Sequence, residues 1–307
     1  MSLLKDALEA GKFGITAEMA PPKGYDFTEQ MEAAELLAGK VHGVNVTDMQ
    51  SASLKATGLG LCIKLKQAGV EPILQMTGRD RNRMALMGDA LAAASFGIDT
   101  MLALTGDHPV VGDCKDAKPV YDLDSVGILK MLSKMEETGC DCGGNEIAGG
   151  APKFYKGASV TPVYEPLFLQ INKLRQKVEA GAMYIQTQGI FDLDTFKRFM
   201  EEVDKAGIKT HIMAGIIPLK AAGMAKYMNE NVPGIDVPQD MIDRLAAAAA
   251  EGKEKGVKGL PMQLGIEMAA EMIAKIKDEK LCDGVHIMAI GAEKNVPTIL
   301  EKAGLTI

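Results

Sequence analysis

Tryptophan is missing from the 307-residue chain, and all aromatics together reach only 5%. With 20 Met in their place, the core has to be filled by aliphatic and thioether side chains, which constrains packing and leaves function open. Basic clusters are also missing. The balance of 34 Lys and Arg against 41 Asp and Glu, a net charge of −7, offers no footprint for a phosphate backbone and argues against nucleic-acid binding. No apolar run approaches the ~20 residues that span a bilayer. The opening MSLLKDALEAGKFG reads as a short amphipathic helix without the apolar region of a secretory signal, so a cytoplasmic protein with no membrane insertion is expected. The five cysteines, Cys62, Cys114, Cys140, Cys142 and Cys282, are odd in number and scattered, which fits reduced thiols better than a disulfide framework. Cys140 and Cys142 form a CxC without a second ligand pair at zinc spacing, and so read as loop thiols and no metal site. A GxGxxG phosphate loop is absent too. The position after the first strand reads EMAPPKGYD, which argues against an open doubly wound sheet.

What is present is a repeat of βα units, clearest at TMLALTGDHP (100–109), where an apolar run stops at Gly106 and presents Asp107 and His108. Eight strands are expected, at 14–20, 43–48, 72–77, 100–105, 156–161, 183–188, 211–216 and 284–290. Apolar residues at three- and four-residue spacing predict helices over 26–38, 53–67, 81–96, 125–137, 169–179, 193–206 and 265–277. The alanine-rich stretch 244–256 adds a further exposed helix. Most helices pass to the next strand through a C-capping glycine, as at Ala68-Gly69 and Ala206-Gly207. Eight right-handed crossovers of this kind close into a (β/α)8 barrel, here a single domain over residues 1–307. Two loops are longer than a barrel needs: 110–124, and 138–154, placed at the face opposite the expected site.

In such a barrel the strand ends gather Glu18, Thr47, Asp48, Gln75, Thr77, Asp107, Ser159, Thr161, Gln188 and Pro218 at one rim. Polar groups there need full hydrogen bonding or a ligand. Structural readings stand beside the functional ones. Glu18 could pair with Lys23 or Arg79, Asp107 could cap a turn, and Gln188 could satisfy a neighbouring loop. Lys177 could be a solvated partner of a helix dipole, and the run Arg79, Asp80, Arg81, Arg83 a solvated loop and first helical turn.

Three segments, TAEMAPPKG, LALTGDHP and KLRQKVEAGAMYIQTQGIFDLDTFKRF followed by AGIIPL, resemble the methylenetetrahydrofolate reductase family, flavin-dependent (β/α)8 barrels that reduce the one-carbon unit on tetrahydrofolate. The similarity runs from Gly14 to the C-terminus. It implies reduction of 5,10-methylenetetrahydrofolate to 5-methyltetrahydrofolate, in the methyl branch that feeds methionine synthesis. By that resemblance Glu18 matches the general acid, Asp107 a flavin-tuning and folate-contacting aspartate, and Gln188 a pterin-contacting glutamine. Thr47, Gln75, Thr105, Gly106, Ser159, Thr161 and Lys177 fall at flavin-holding positions, as does the Tyr121-Asp122 pair. FAD is preferred over FMN, with both open. NAD(P)H or a reducing partner subunit is the implied electron source, in a homo- or hetero-oligomer.

The chain departs from the NADH-using members of the family at several points. Thr105 stands for an arginine, Thr161 for an aromatic, and Gly189-Ile190 for two aromatics, while MAIGAEKN in the last strand lacks an arginine. These losses cluster around the dinucleotide and folate tail. They motivate an alternative in which the barrel is a subunit of an electron-transfer assembly fed by a partner protein. A third reading is a flavin-free pterin or corrinoid methyltransferase barrel. In the main reading, protonation of a ring nitrogen opens the methylene bridge to an iminium ion, and a partly buried carboxylic acid supplies that proton.

Overall fold

The strands expected from the apolar segments form β1 (Gly14–Met19), β2 (Gly43–Val46), β3 (Pro72–Thr77), β4 (Thr100–Leu104), β5 (Tyr155–Val160), β6 (Tyr184–Gly189), β7 (His211–Ile216) and β8 (Gly284–Ile287). In the computed structural model, which describes residues 2–307, these eight are all parallel and follow chain order around a closed barrel. The seam between β8 and β1 pairs Thr16 with His286 and Ala17 with Ile287. The helices are α1 (Leu3–Glu9), α2 (Thr28–Leu37), α3 (Gly58–Gln67), α4 (Arg83–Ser95), α5 (Ser125–Thr138), α6 (Leu167–Glu179), α7 (Leu193–Lys205), α8 (Ala222–Asn231), α9 (Gln239–Lys255), α10 (Leu260–Asp278) and α11 (Val296–Lys302).

The strands bury both faces, as a barrel covered by helices requires. Their outward residues, such as Ala17, Val44, Val46, Met76, Ile185 and Ile287, meet the helices in one large cluster. A second, inward cluster closes the bottom of the barrel: Leu4 and Leu8 of α1 pack against Ile73, Leu102, Tyr155, Tyr184 and Met213. Each such side chain contributes about 1.5–3 kcal/mol by leaving water. Most of the inward polar residues of the strands lie above this plug, toward the carboxyl ends, while Thr100 at the foot of β4 bonds Ser2 beside α1.

Three differences from the sequence reading have physical causes. Residues 53–57 are not helical, because Leu54 N donates to Asp113 Oδ1 (2.9 Å) and Ala56 N to the Pro22 carbonyl (2.9 Å), ties that override the local spacing. The helix expected from 265 starts at Leu260, where Pro261 suits a first turn. Helices α8 and α11 were not expected. Both are short, and neither has a side-chain N-cap bond to announce it. Among the described residues, no helix is long and apolar enough to cross a membrane.

Candidate functional site

Side chains two apart on a strand share a face. On four strands the inward positions above the plug are polar in pairs: Thr16 and Glu18 on β1, Asn45 with Thr47 just beyond β2, Gln75 and Thr77 on β3, and Gln186 and Gln188 on β6. Glu18 stands at the upper end of β1, its side chain 12% exposed, with Oε2 3.6 Å from Nε2 of the buried His286. Neither cation proposed as its partner reaches it. Lys23 is paired with Asp113 and Arg79 with Asp80.

Asp107 sits on the loop after β4, exposed, and its carboxylate makes no hydrogen bond among the described residues. Its backbone is held firmly. Tyr121 Oη donates to the Gly106 carbonyl (3.1 Å), and Arg79 donates through Nη1 to the Asp107 carbonyl (3.3 Å) and through Nη2 to that of Met49 (3.1 Å). Arg79 is 2% exposed, so one buried guanidinium ties the loops after β2, β3 and β4 together. Burial opposes its charge, but the hydrogen bond to Asp80 and the carboxylates of Asp80, Asp48 and Asp107 outweigh that and raise its pKa. The run from Arg79 to Arg83 is therefore only partly a solvated loop. Arg81 pairs with Asp48 and Asp89, and only the Arg83–Asp122 pair lies at the surface.

Of the positions matched to flavin binding, Thr47 is the most telling. Among the described residues its Oγ1 is buried without a hydrogen-bond partner, as is Oδ1 of the adjacent Asp48, whose other oxygen accepts from Thr77 N and Oγ1 (both 2.9 Å). Gln75 is buried on β3. Lys177 reaches from α6 to the end of β5, where Nζ donates to the Ser159 carbonyl (2.6 Å); the Asp124 carboxylate is near enough to favour its charge but forms no ion pair with it. Burial, reinforced by the charge of Lys173, pushes its ammonium down to about 8. Thr161 lies beyond β5, against Gly234.

Two members of the set face elsewhere. Thr105 Oγ1 accepts from Ser125 N (3.2 Å) at the start of α5, and Asp122 takes Arg83 on both oxygens, which holds its carboxyl down at about 2. Gln188 is half-buried at the end of β6, with Oε1 accepting from Gly189 N (3.0 Å) and its amide nitrogen free of protein partners among the described residues. Gly189 and Ile190 are buried, so no ring extends the rim there.

Four buried polar residues escaped the sequence reading: Thr16, Asn45, Gln186 and His286. Asn45 Nδ2 donates to Gln186 Oε1 (2.6 Å), Gln186 Nε2 donates to Thr16 Oγ1 and to Asn45 Oδ1 (3.2 Å each), and Thr16 Oγ1 lies 2.9 Å from His286 Nδ1. The available signal was the period of two. Each of the first three lies two residues before a rim residue, on the same face.

The methylenetetrahydrofolate reductase family model matches residues 3–304. A probable methylenetetrahydrofolate reductase (NADPH) of Caenorhabditis elegans is 25% identical over 83% of this chain and 34% of its own length. The 5,10-methylenetetrahydrofolate reductase of Pectobacterium carotovorum is 26% identical over 68% of this chain and 65% of its own. The chain thus spans about a third of the length of the nematode relative. Among solved structures, an uncharacterized protein from Clostridium thermocellum that binds two copies of 5-methyl-5,6,7,8-tetrahydrofolic acid superposes with a TM-score of 0.64 over 98% of this chain and all of its own. At 13% identity that likeness speaks for the fold alone. With the family model covering the barrel from end to end, the chain belongs to the methylenetetrahydrofolate reductase family.

Proposed function

We propose that the chain, acting as one catalytic domain, reduces 5,10-methylenetetrahydrofolate to 5-methyltetrahydrofolate with a bound flavin. The observation that carries this reading is Glu18, a partly buried carboxyl at the barrel mouth with a buried histidine behind it and, among the described residues, no lysine or arginine paired with it. The flavin reading is supported by the orphaned Thr47 hydroxyl and Asp48 oxygen, since buried polar groups seldom stay unpaired, and by Lys177, a half-buried cation whose hydrogen bond goes to a carbonyl and which forms no ion pair among the described residues. Thr47, Gln75, Ser159 and Thr161 suit the polar edge of an isoalloxazine and its ribityl hydroxyls, and Lys177 suits a phosphate. When bound, the flavin supplies the hydride. We expect FAD rather than FMN, in an oligomer working in the cytoplasm, where five free thiols stay reduced.

Hydride addition to the methylene carbon needs the five-membered ring opened first. Glu18 holds the proton that a ring nitrogen takes as the bridge opens to an iminium ion. Asp107, an exposed carboxylate whose neighbour Arg79 is committed to Asp80, stabilises that positive charge from the rim, and the free amide nitrogen of Gln188 orients the pterin edge. The purified protein is expected to be yellow, bleached by dithionite and reoxidised by methylenetetrahydrofolate, with chromatography of the released cofactor separating FAD from FMN. A protein that takes up neither flavin at micromolar concentration would move the assignment to the flavin-free methyltransferase barrel. A second reading concerns the electron source. With Thr105 turned toward α5 and Gly189-Ile190 buried, the rim has neither the cation nor the aromatic surface expected to hold a nicotinamide, which favours entry through a reducing partner subunit.

A further inference from the structure

Inside the barrel, directly beneath the mouth, five polar side chains from β1, β2, β6 and β8 form one connected chain. We infer that His286 is a positioning residue for Glu18, and that hydrogen bonds running from Asn45 and Gln186 through Thr16 hold its ring proton on Nε2, facing the carboxylate. The catalytic part of this inference rests on Glu18 as the proton donor; the tautomer does not.

Donor counting leads to it. Gln186 Nε2 carries two hydrogens, and both have acceptors, Asn45 Oδ1 and Thr16 Oγ1, each at 3.2 Å. Asn45 Nδ2 closes the amide pair onto Gln186 Oε1 at 2.6 Å. Thr16 Oγ1, having accepted from Gln186, keeps its own hydrogen for the atom 2.9 Å away, His286 Nδ1. A neutral imidazole that accepts at Nδ1 carries its proton on Nε2, and Nε2 is the atom that faces Glu18 Oε2 at 3.6 Å. The reverse setting, with both amides turned over, would have Nδ1 donate to Thr16 and leave Nε2 a bare lone pair, which would draw the Glu18 proton onto Oε2 and away from the open Oε1.

The surroundings give the chain little freedom. Thr16 and Asn45 are fully buried, Gln186 is 2% and His286 3% exposed, so a broken link leaves a polar group with no water to turn to. Backbone register supports the same arrangement, since Thr16 lies beside His286 and Glu18 beside Asn45 on neighbouring strands. Glu18 is thus faced from below at Oε2 by His286 Nε2, 3.6 Å away and a small shift from hydrogen-bond distance, while Oε1 has no protein partner among the described residues. A carboxyl that closes this gap to Nε2 at one oxygen and stays open at the other presents its proton in one direction, and a misplacement of about 1 Å at such a group costs roughly 10²-fold in rate.

The test has two arms. Long-range 15N–1H spectra of the purified protein resolve the imidazoles, of which there are only four, at His42, His108, His211 and His286. His286, assigned through its loss in His286→Gln, should show a protonated Nε2 and a bare Nδ1 at neutral pH, and Thr16→Val should remove that preference. A protonated Nδ1 in the wild-type protein overturns the inference. In the second arm, His286→Leu should slow oxidation of the reduced flavin by methylenetetrahydrofolate about 10- to 100-fold with little change in KM. His286→Gln, which keeps an N–H donor, should recover part of that loss, and reduction of the flavin by dithionite should be unchanged in both. Equal rates in wild type and His286→Leu would likewise overturn it. If Glu18→Gln left folate reduction intact while the tautomer was found as stated, the proton-donor reading would fail and the hydrogen-bond chain would stand.

Discussion

Lys177 shows how a single side chain links burial to binding. A free lysine loses its proton near 10.5, whereas here burial brings that down to about 8, so between those values the unfolded chain holds a proton that the folded one has released. Without ligand, this group makes the fold gain stability as pH rises from about 8 toward 10.5. A phosphate placed against Nζ reverses the preference, because it interacts with the charged form. Flavin affinity is therefore expected to be flat below about pH 8 and to fall above it. Lys177→Met should weaken binding about 10- to 100-fold, the worth of one charge-assisted hydrogen bond, and flatten the pH dependence. Fluorescence titration of FAD at several pH values checks both. A variant with the wild-type slope would remove Lys177 from the flavin site.

Among the elements, the loop between β4 and α5 decides where Asp107 stands. Its second half runs over the end of β3, where Val120 N and Tyr121 N donate to the Arg79 and Gly78 carbonyls (2.7 and 3.1 Å). A Cβ on Gly78 would come 1.8 Å from the Leu123 carbonyl oxygen, so this close approach needs a glycine. Gly78→Ala should lower the urea midpoint by the equivalent of about 1–3 kcal/mol, the usual cost of overpacking, and weaken folate binding through the displaced loop. Unchanged stability would mean that the segment shifts freely. The strands of this region were legible in the sequence because runs such as TMLALT and PILQMT are rich in aliphatic and thioether residues and stop at a glycine. The loops were not. Arg79 and Arg81 look like surface charges in a row of charges, and only the folded chain brings Met49, Asp48 and Asp107 around them. Residues 53–57 were misread for the same reason, since their conformation is set by Asp113 and Pro22, far away in sequence. The rim residues were legible as strand ends, whereas the layer beneath them was hidden because Thr16, Asn45, Gln186 and His286 sit inside runs read simply as strand.

On the scale of the whole molecule, the proposed reaction asks one barrel mouth to serve an electron donor and a folate, and the residues around it are unequally supplied for the two. Glu18, Asp107 and Gln188 stand at the strand ends where we propose the folate binds, while Thr105 faces α5 and Gly189 and Ile190 are buried. Each missing stack or charge-assisted contact costs on the order of 1 kcal/mol, and the losses need not add. Stopped-flow mixing of the flavin-loaded protein with NADH should give slow, weakly saturating reduction, and rapid saturable reduction at micromolar NADH would return the chain to the stand-alone NADH-dependent class. The measurement closest to the central claim compares the two half-reactions in Glu18→Gln, which keeps size and hydrogen bonding and removes the proton. Oxidation of the reduced flavin by methylenetetrahydrofolate should fall by ~10²- to 10⁴-fold, the usual contribution of general acid catalysis, with flavin reduction by dithionite near normal. Equal effects on both half-reactions, or none on folate reduction, would contradict the assignment of Glu18 as the proton donor.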